Sequence, residues 1–379
     1  MSQYQNLKYL TIHRELQKEI QSGALEEGSK LPTEYEISAK YGVSRPTVTK
    51  ALNALRDEGF ITRRKGSGSY VCARQDDLGL ALTRLVGLIV PDLGKGEIFE
   101  PICARIAELS GPGRFSLIWG GAIEAPTDNE QLIALAGKYI EHRVAGVFFA
   151  PLEFREGFKE TNRRVLALLE TARIPVILLD ADQLAFPERS VHDLVSIDHF
   201  RAAYELTHVF LRQGCGRVDF FHRPFSASSV ALRVMGYRSA LSDADITPRR
   251  EWTHEESPED VERVRLMVVD GGARNIICAN DETAAALMTS LEAAGLAIPG
   301  DVRVIGFDDV RFAHLLKVPL TSYRQPCAEI AEEAVRLLLS RLARPDQGPR
   351  TVLTQGHVVE RESSILPAEV DANTDAGAE

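Results

Sequence analysis

From residue 86 onward the chain repeats one pattern: a short continuous apolar run, then a stretch with apolar residues at helical spacing. The runs fall at 86–90, 115–119, 144–149, 176–179, 217–221, 275–278 and 302–306. Unbroken apolar runs of this length suit strands buried on both faces. Helical stretches lie at 102–109, 131–142, 162–172, 200–213, 230–242, 258–269, 283–294 and 328–342. Strands alternating with helices predict an α/β fold, with parallel sheets covered on both faces. About 280 residues exceed one open sheet of ordinary size, so two sheets are expected. Ligands of such sheets sit beyond the carboxyl ends of the strands.

The stretch 31–71, LPTEYEISAKYGVSRPTVTKALNALRDEGFITRRKGSGSYV, has another texture. Thr33 followed by Glu36 is a capping box and predicts a helix start. Gly42 ends that helix. Ser44 caps the next, with Pro46 in its first turn, where a missing N–H costs nothing. Val48, Ala51, Leu52 and Leu55 share one face, leaving Arg45, Thr47, Thr49 and Lys50 to the outside. A short helix with a basic, polar start suits the DNA major groove. Residues 61–63 and 69–71 read as two strands around Lys65, Gly66, Ser67 and Gly68. Arg63, Arg64 and Lys65 there offer charge to phosphates, and the glycines admit close backbone approach. Ahead of this, Tyr9, Ile12, Leu16 and Ile20 form a helical stripe ending at Gly23.

Net charge is −10, but it is unevenly placed. Residues 1–74 hold 12 Lys/Arg against 8 Asp/Glu, and the remainder 32 against 46. A basic module can face phosphates while an acidic body faces solvent. No apolar run approaches the ~20 residues of a membrane span. The start MSQYQNLKYLTIHREL lacks the layout of a signal peptide, so a cytoplasmic location is expected. Cys72, Cys103, Cys215, Cys278 and Cys327 are scattered, which argues for reduced thiols without zinc or disulfides. His192, His199 and His208 lack metal-ligand spacing. No phosphate loop, dinucleotide fingerprint or nucleophile elbow occurs, so neither cofactor nor catalytic residues are expected. Residues 73–84 read as a linker, and the small, acidic segment 367–379 as disordered.

LPTE, GVSRPTV, AL..L..EGF and RRKGSGSYV together resemble the winged helix-turn-helix of GntR-type transcription regulators, over residues 1–72. The resemblance implies operator contacts from Thr33, Tyr35, Ser44, Arg45, Pro46, Thr47, Thr49, Lys50 and the wing residues Arg64, Lys65, Gly66, Ser67 and Gly68. Tyr35 and Thr49 stand where that family often has Arg. The remainder, 85–366, resembles the effector domain of LacI/GalR-type repressors, through IICANDETAAALMTSLEAAGLAIPGDVRVIGFDD at 276–309, VSIDHFRAAYELTHVFLRQG, R-x-x-G-Y from Arg233, PLTSYRQP at 319–326, and RESS. The combination is similar to arabinose-type repressors. It implies a two-lobe, periplasmic-binding-protein-like domain with parallel sheets. The first lobe is expected at about 85–196 and 327–350, the second at about 197–325 and 351–366.

By motif position, Arg233, Asn280, Asp308 and Gln325 would hold a ligand, with Asp180 and Phe99 as weaker candidates; Cys327 replaces an aromatic. The function implied is a homodimeric repressor binding two operator half-sites, controlled by a small-molecule effector, a sugar or sugar derivative, in the interlobe cleft. The rival class, a sugar-binding transport or sensory protein, would need export.

Overall fold

The computed structural model describes residues 3–21, 24–25, 28–57, 60–64, 67–71, 84–90, 98–111, 114–119 and 129–365. Residues 73–83 of the linker expected at 73–84, the tail at 367–379 and Cys72 lie outside them. Two compact units are present, Met1–Leu82 and Thr83–Glu379.

The smaller unit comprises α1 (Gln3–Gln21), α2 (Glu34–Tyr41), α3 (Arg45–Asp57) and the antiparallel pair β1 (Ile61–Arg64) and β2 (Gly68–Val71), with Ile61 opposite Val71. The capping box forms: Glu36 N donates to Thr33 Oγ1 at 3.3 Å, and Thr33 N to Glu36 Oε2 at 2.7 Å. Gly42 closes α2 in the left-handed conformation, φ 60°, which glycine adopts without a Cβ penalty. Ile12 and Leu16 of α1, Ile37 of α2, Val48, Leu52 and Leu55 of α3, and Ile61 and Val71 of the strands form one core.

The larger unit runs β3 (Leu85–Ile89), α4 (Phe99–Leu109), β4 (Ser116–Trp119), α5 (Asn129–Glu141), β5 (Gly146–Phe149), α6 (Phe158–Thr171), β6 (Val176–Leu179) and β7 (Asp193–Ile197). It continues with α7 (His199–Leu211), β8 (Asp219–His222), α8 (Ser228–Asp243), β9 (Thr253–Glu255), α9 (Val261–Val269), β10 (Asn275–Cys278), α10 (Asp281–Ala293) and β11 (Arg303–Ile305). Last come β12 (Ser322–Arg324), α11 (Cys327–Ala343), β13 (Thr351–Thr354) and β14 (His357–Val359). The first lobe is a six-stranded parallel sheet in the order β13-β7-β6-β5-β3-β4. The second is a four-stranded parallel sheet, β11-β10-β8-β9. The apolar runs at β5, β6 and β10 are buried along their whole length, as strands covered on both faces must be.

The chain passes from the first lobe to the second between β7 and α7. It returns through α11, which packs on α4 and on β5, β6 and β7. One boundary differs from the sequence reading. Residues 351–366 were assigned to the second lobe, but β13 pairs with β7 in the first, Thr351 opposite Leu194. The cause is Asp193, whose carboxylate takes a bidentate pair from Arg341 (both 2.8 Å) and the backbone N–H of Arg350 at 2.7 Å. These charge-assisted bonds bring the edge strand TVLT, which has no continuous apolar run, to the first sheet. Only from β14 on does the chain rejoin β12 and the second lobe, where Ser363 Oγ donates to Val304 O at 2.6 Å.

Candidate functional site

In the smaller unit, α3 presents Arg45, Pro46 and Lys50 to solvent. The Arg45 guanidinium lies 5.9 Å from the ring of Tyr35, itself exposed, and Lys50 Nζ lies 4.4 Å from the ring of Tyr9. Thr49 is half-buried and its hydroxyl donates to Arg45 O at 3.0 Å. Thr47 departs from the sequence reading: it is buried, with its hydroxyl 2.8 Å from that of Ser44. The physical reason is helical pitch. Position 47 lies one turn before Ala51, on the flank of the apolar stripe, and pairing with Ser44 satisfies its hydroxyl there.

Arg63 also departs, because its guanidinium is held by Glu34 and, at 3.0 Å, by Asn53 Oδ1. In the wing, Ser67 Oγ lies 2.7 Å from Tyr70 Oη. Gly68 has φ 122°, a conformation that residues with a Cβ rarely adopt, so the wing tip requires glycine. The side chain of Arg64, and Lys65 and Gly66, lie outside the described residues.

The second constellation lies where strands of both lobes end. Asp180 follows β6, and Asp308 follows β11. Both have positive φ, 66° and 112°; non-glycine residues held so carry strain that surrounding structure must enforce, and such residues cluster at ligand sites. Gln325, on the segment returning to the first lobe, joins them: its Nε2 donates to Asp308 Oδ1 at 2.8 Å and to Asp180 Oδ1 at 3.4 Å.

Arg233 comes from α8. Gly236, one turn on, lets α8 press against α7, since a Cβ there would stand 1.9 Å from Phe200 O. Tyr237 Oη anchors the same helix by donating to Val218 O at 2.7 Å. So held, Arg233 lies over the Phe307 ring at 3.7 Å, donates from Nη1 to Ala279 O, and donates from Nε to His199 Nδ1 at 3.2 Å. An arginine Nε can only donate, so Nδ1 accepts and the His199 proton sits on Nε2. Nε2 then donates to Asp180 O at 3.0 Å. His199 thus links an arginine of the second lobe to a strand end of the first.

Two carboxyls here are shifted. Burial pushes Asp308 up to about 7; Arg233 opposes the shift and Asp180 adds to it. Burial pushes Glu153, which follows β5, up to about 8, although its carboxylate accepts Ala227 N at 2.9 Å. Burial lowers His199 to about 4 despite the nearby Asp180. Asn280 caps α10, its Oδ1 accepting Thr283 N at 2.8 Å. Phe99 does not join the group; it packs into the core beneath α4. A cavity of about 720 Å³ opens beside the cluster, lined by Asp308, Gln325, Cys327, Phe312, Pro101 and Ala104; Asp180, Arg233, Asn280 and Phe99 do not line it.

Glu153, Ser196 and His199 were not among the sequence candidates. Their sequence mark is position: Glu153 and His199 stand just past strand ends, and Ser196, near the end of β7, is hydrogen-bonded to Asp180 O.

The chain is a DNA-binding transcription regulator: residues 8–71 match the model of the gntR family of bacterial regulatory proteins, and residues 207–364 match that of a periplasmic binding protein-like domain. It is similar to the arabinose metabolism transcriptional repressor of Geobacillus stearothermophilus, 26% identical over 369 residues, covering 95% of this chain and 96% of that one. It is also similar to the HTH-type transcriptional repressor PurR of Vibrio campbellii, 24% identical over 344 residues, covering 86% and 96%. Two solved structures share its fold. One is the transcriptional regulator CelR in complex with cellobiose (TM-score 0.62, 20% identical, covering 88% of this chain and 100% of that one). The other is a LacI family regulator from Enterococcus faecium with bound ribose (TM-score 0.59, 24% identical, covering 74% and 98%). Among the described residues no helix is long and apolar enough to cross a membrane, and no group of His, Cys, Asp or Glu is arranged to hold a metal ion.

Proposed function

We propose that the chain is a homodimeric repressor whose operator affinity is set by a sugar bound between the lobes of its larger unit. The observation that carries the reading is the buried network Arg233–His199–Asp180–Gln325–Asp308. It joins both lobes at the carboxyl ends of their strands, where open α/β sheets bind ligands. The cellobiose and ribose carried by two regulators of the same fold support a sugar as the ligand class. Thr33, Tyr35, Arg45 and Lys50 are among the exposed groups of the winged helix that would meet DNA, Arg45 at base edges and Lys50 at phosphates. Asp180, Arg233, Asp308 and Gln325 would hold the sugar. Asn280, whose oxygen caps α10, would contribute mainly through its amide nitrogen, and Phe99 no direct contact.

A sugar that fits the closed arrangement better than the open one shifts the lobes together and moves the paired winged helices. The coupling is reciprocal, and roughly 1–3 kcal/mol would change operator affinity ~5–150-fold. Fluorescence anisotropy tests this: the protein is bound to duplexes selected from a random pool, and monosaccharides and disaccharides are added. Release by one sugar is expected. DNA binding that no sugar alters would overturn the effector assignment while leaving the DNA-binding assignment intact. Two-fold symmetric selected sites, with a dimer in light scattering, are expected as well.

A further inference from the structure

This inference rests on the sugar reading above and narrows it. Three carboxyl groups surround the junction of the lobes: Asp180 and Glu153 from the first, Asp308 from the second. Against them stands one guanidinium. Arg233 has given Nε to His199 and Nη1 to Ala279 O, and one face of its plane is covered by Phe307. Only Nη2 remains free of described partners. The other arginines nearby are neutralised in place: Arg324 and Arg361 both pair with Asp309, at 2.6 and 2.7 Å, and Arg223 with Glu259 at 2.5 Å. The exposed Arg311 stands on the outer lining of the cavity.

An independent observation points the same way. Gln325 is 3% exposed, and while its Nε2 serves Asp308 and Asp180, its Oε1 is buried without a hydrogen-bond partner. A buried carbonyl oxygen left unpaired is unfavourable, so this site is short of a donor. A ligand must supply hydroxyl protons to Gln325 and the carboxyls and needs one acceptor for Arg233 Nη2. A ring oxygen with several hydroxyls meets both demands. A carboxylate or phosphate on the ligand would instead bring negative charge among three carboxyls with no uncommitted inner cation. Burial without a counter-charge is strongly unfavourable.

We infer that the cleft selects an uncharged, hydroxyl-rich sugar and excludes sugar acids and sugar phosphates. The raised values of Asp308 and Glu153 accord with this, since the burial that disfavours their own ionised forms disfavours any further negative charge beside them.

The test is thermal unfolding of the full chain with matched sets at equal concentration: neutral aldoses and disaccharides, the corresponding uronic and aldonic acids, and their phosphates. Binding to the folded state raises the melting temperature. A rise with at least one neutral sugar and none with its acid or phosphate is expected. A rise with an acid or phosphate overturns the inference and leaves the sugar reading standing. No rise across all sets overturns the sugar reading, and the inference with it.

A second measurement tests the Gln325 amide, whose unpaired oxygen methionine removes together with the Nε2 donor to Asp308 and Asp180. Gln325→Met, nearly the same shape without the oxygen, is expected to weaken the neutral hit at least tenfold in calorimetry, with operator binding kept as the check on folding. Unchanged affinity would remove Gln325 Oε1 from the argument and overturn it.

Discussion

The two units hold their polar side chains in opposite ways. In the winged helix, Tyr35, Arg45 and Lys50 stand in solvent, with Arg45 near the ring of Tyr35 and Lys50 near that of Tyr9. In the effector unit, Arg233, His199 and Gln325 are 3–4% exposed, and most of their contacts are to other buried groups. Exposed charges are easily presented but screened by salt within about 10 Å. Buried polar groups are strong only while every partner is in place. The comparison teaches that DNA affinity should fail contact by contact, whereas the cleft should fail as a unit.

The sharpest way to break the comparison is Arg233→Ala. It leaves His199 Nδ1 and Ala279 O without a donor and three carboxyls without a counter-charge. Removing one partner of a buried charge network costs about 3–5 kcal/mol. Both tryptophans of the chain, Trp119 and Trp252, lie in the larger unit, so urea unfolding followed by their fluorescence reads that unit alone. A loss under about 1 kcal/mol would show that the network is no more cooperative than a surface pair.

Next in size is the winged helix. Arg45→Ala is expected to cost about 1–3 kcal/mol of operator binding and to relax specificity at one base position. Lys50→Ala should weaken all sequences alike and lower the salt slope by about one. Neither should change sugar affinity in calorimetry. If both variants behave alike, or tryptophan-detected stability falls with either, the contact-by-contact picture fails.

The same contrast explains what was legible in the sequence. The apolar runs of β5, β6 and β10 and the capping box at Thr33 are local patterns, and the structure carries them where the pattern placed them. β7 and β13 were illegible because what brings them together is Asp193 with Arg341 and Arg350, partners some 150 residues apart that leave no local period. Thr47 was misread for a subtler reason: a polar residue on the flank of an apolar stripe looks exposed until its hydroxyl finds Ser44. At the cleft, the four residues Asp180, Arg233, Asp308 and Gln325 gather in one network. His199, weighed in the sequence only as a metal ligand, takes its place from Arg233, 34 positions away, and from Asp180, 19 positions away, which leave no local mark.

Acidity offers a smaller test of the buried side. A carboxyl whose folded value is raised keeps its proton where the unfolded chain has lost it, so its stabilisation is full at low pH and is lost as pH rises through the folded value. Glu153, at about 8, and Asp308, at about 7, therefore make the larger unit less stable as pH rises. His199, lowered to about 4, acts oppositely and only below its ordinary value of 6.5. Between about pH 6.5 and 8 the carboxyls act alone, and Glu153→Gln should flatten the decline by about 1–2 kcal/mol, one pKa unit being worth about 1.4. Tryptophan-detected urea midpoints at several pH values check this. A slope unchanged by the substitution would place the proton elsewhere.

The smallest expected effect sits on the exposed side. Thr33 both caps α2 and belongs among the residues proposed to meet the operator. Its hydroxyl accepts Glu36 N and donates to Glu36 Oε2 at 2.8 Å. Losing such a cap costs about 1 kcal/mol. Thr33→Ala should lower the stability of the smaller unit by that amount, read by circular dichroism, while Thr33→Ser keeps the hydroxyl and should restore it. If capping is its whole role, operator affinity in the alanine variant recovers when temperature is lowered enough to keep the unit folded. If Thr33 also touches DNA, affinity stays reduced in the folded alanine variant and returns only with serine, and the hydroxyl then serves helix and operator together.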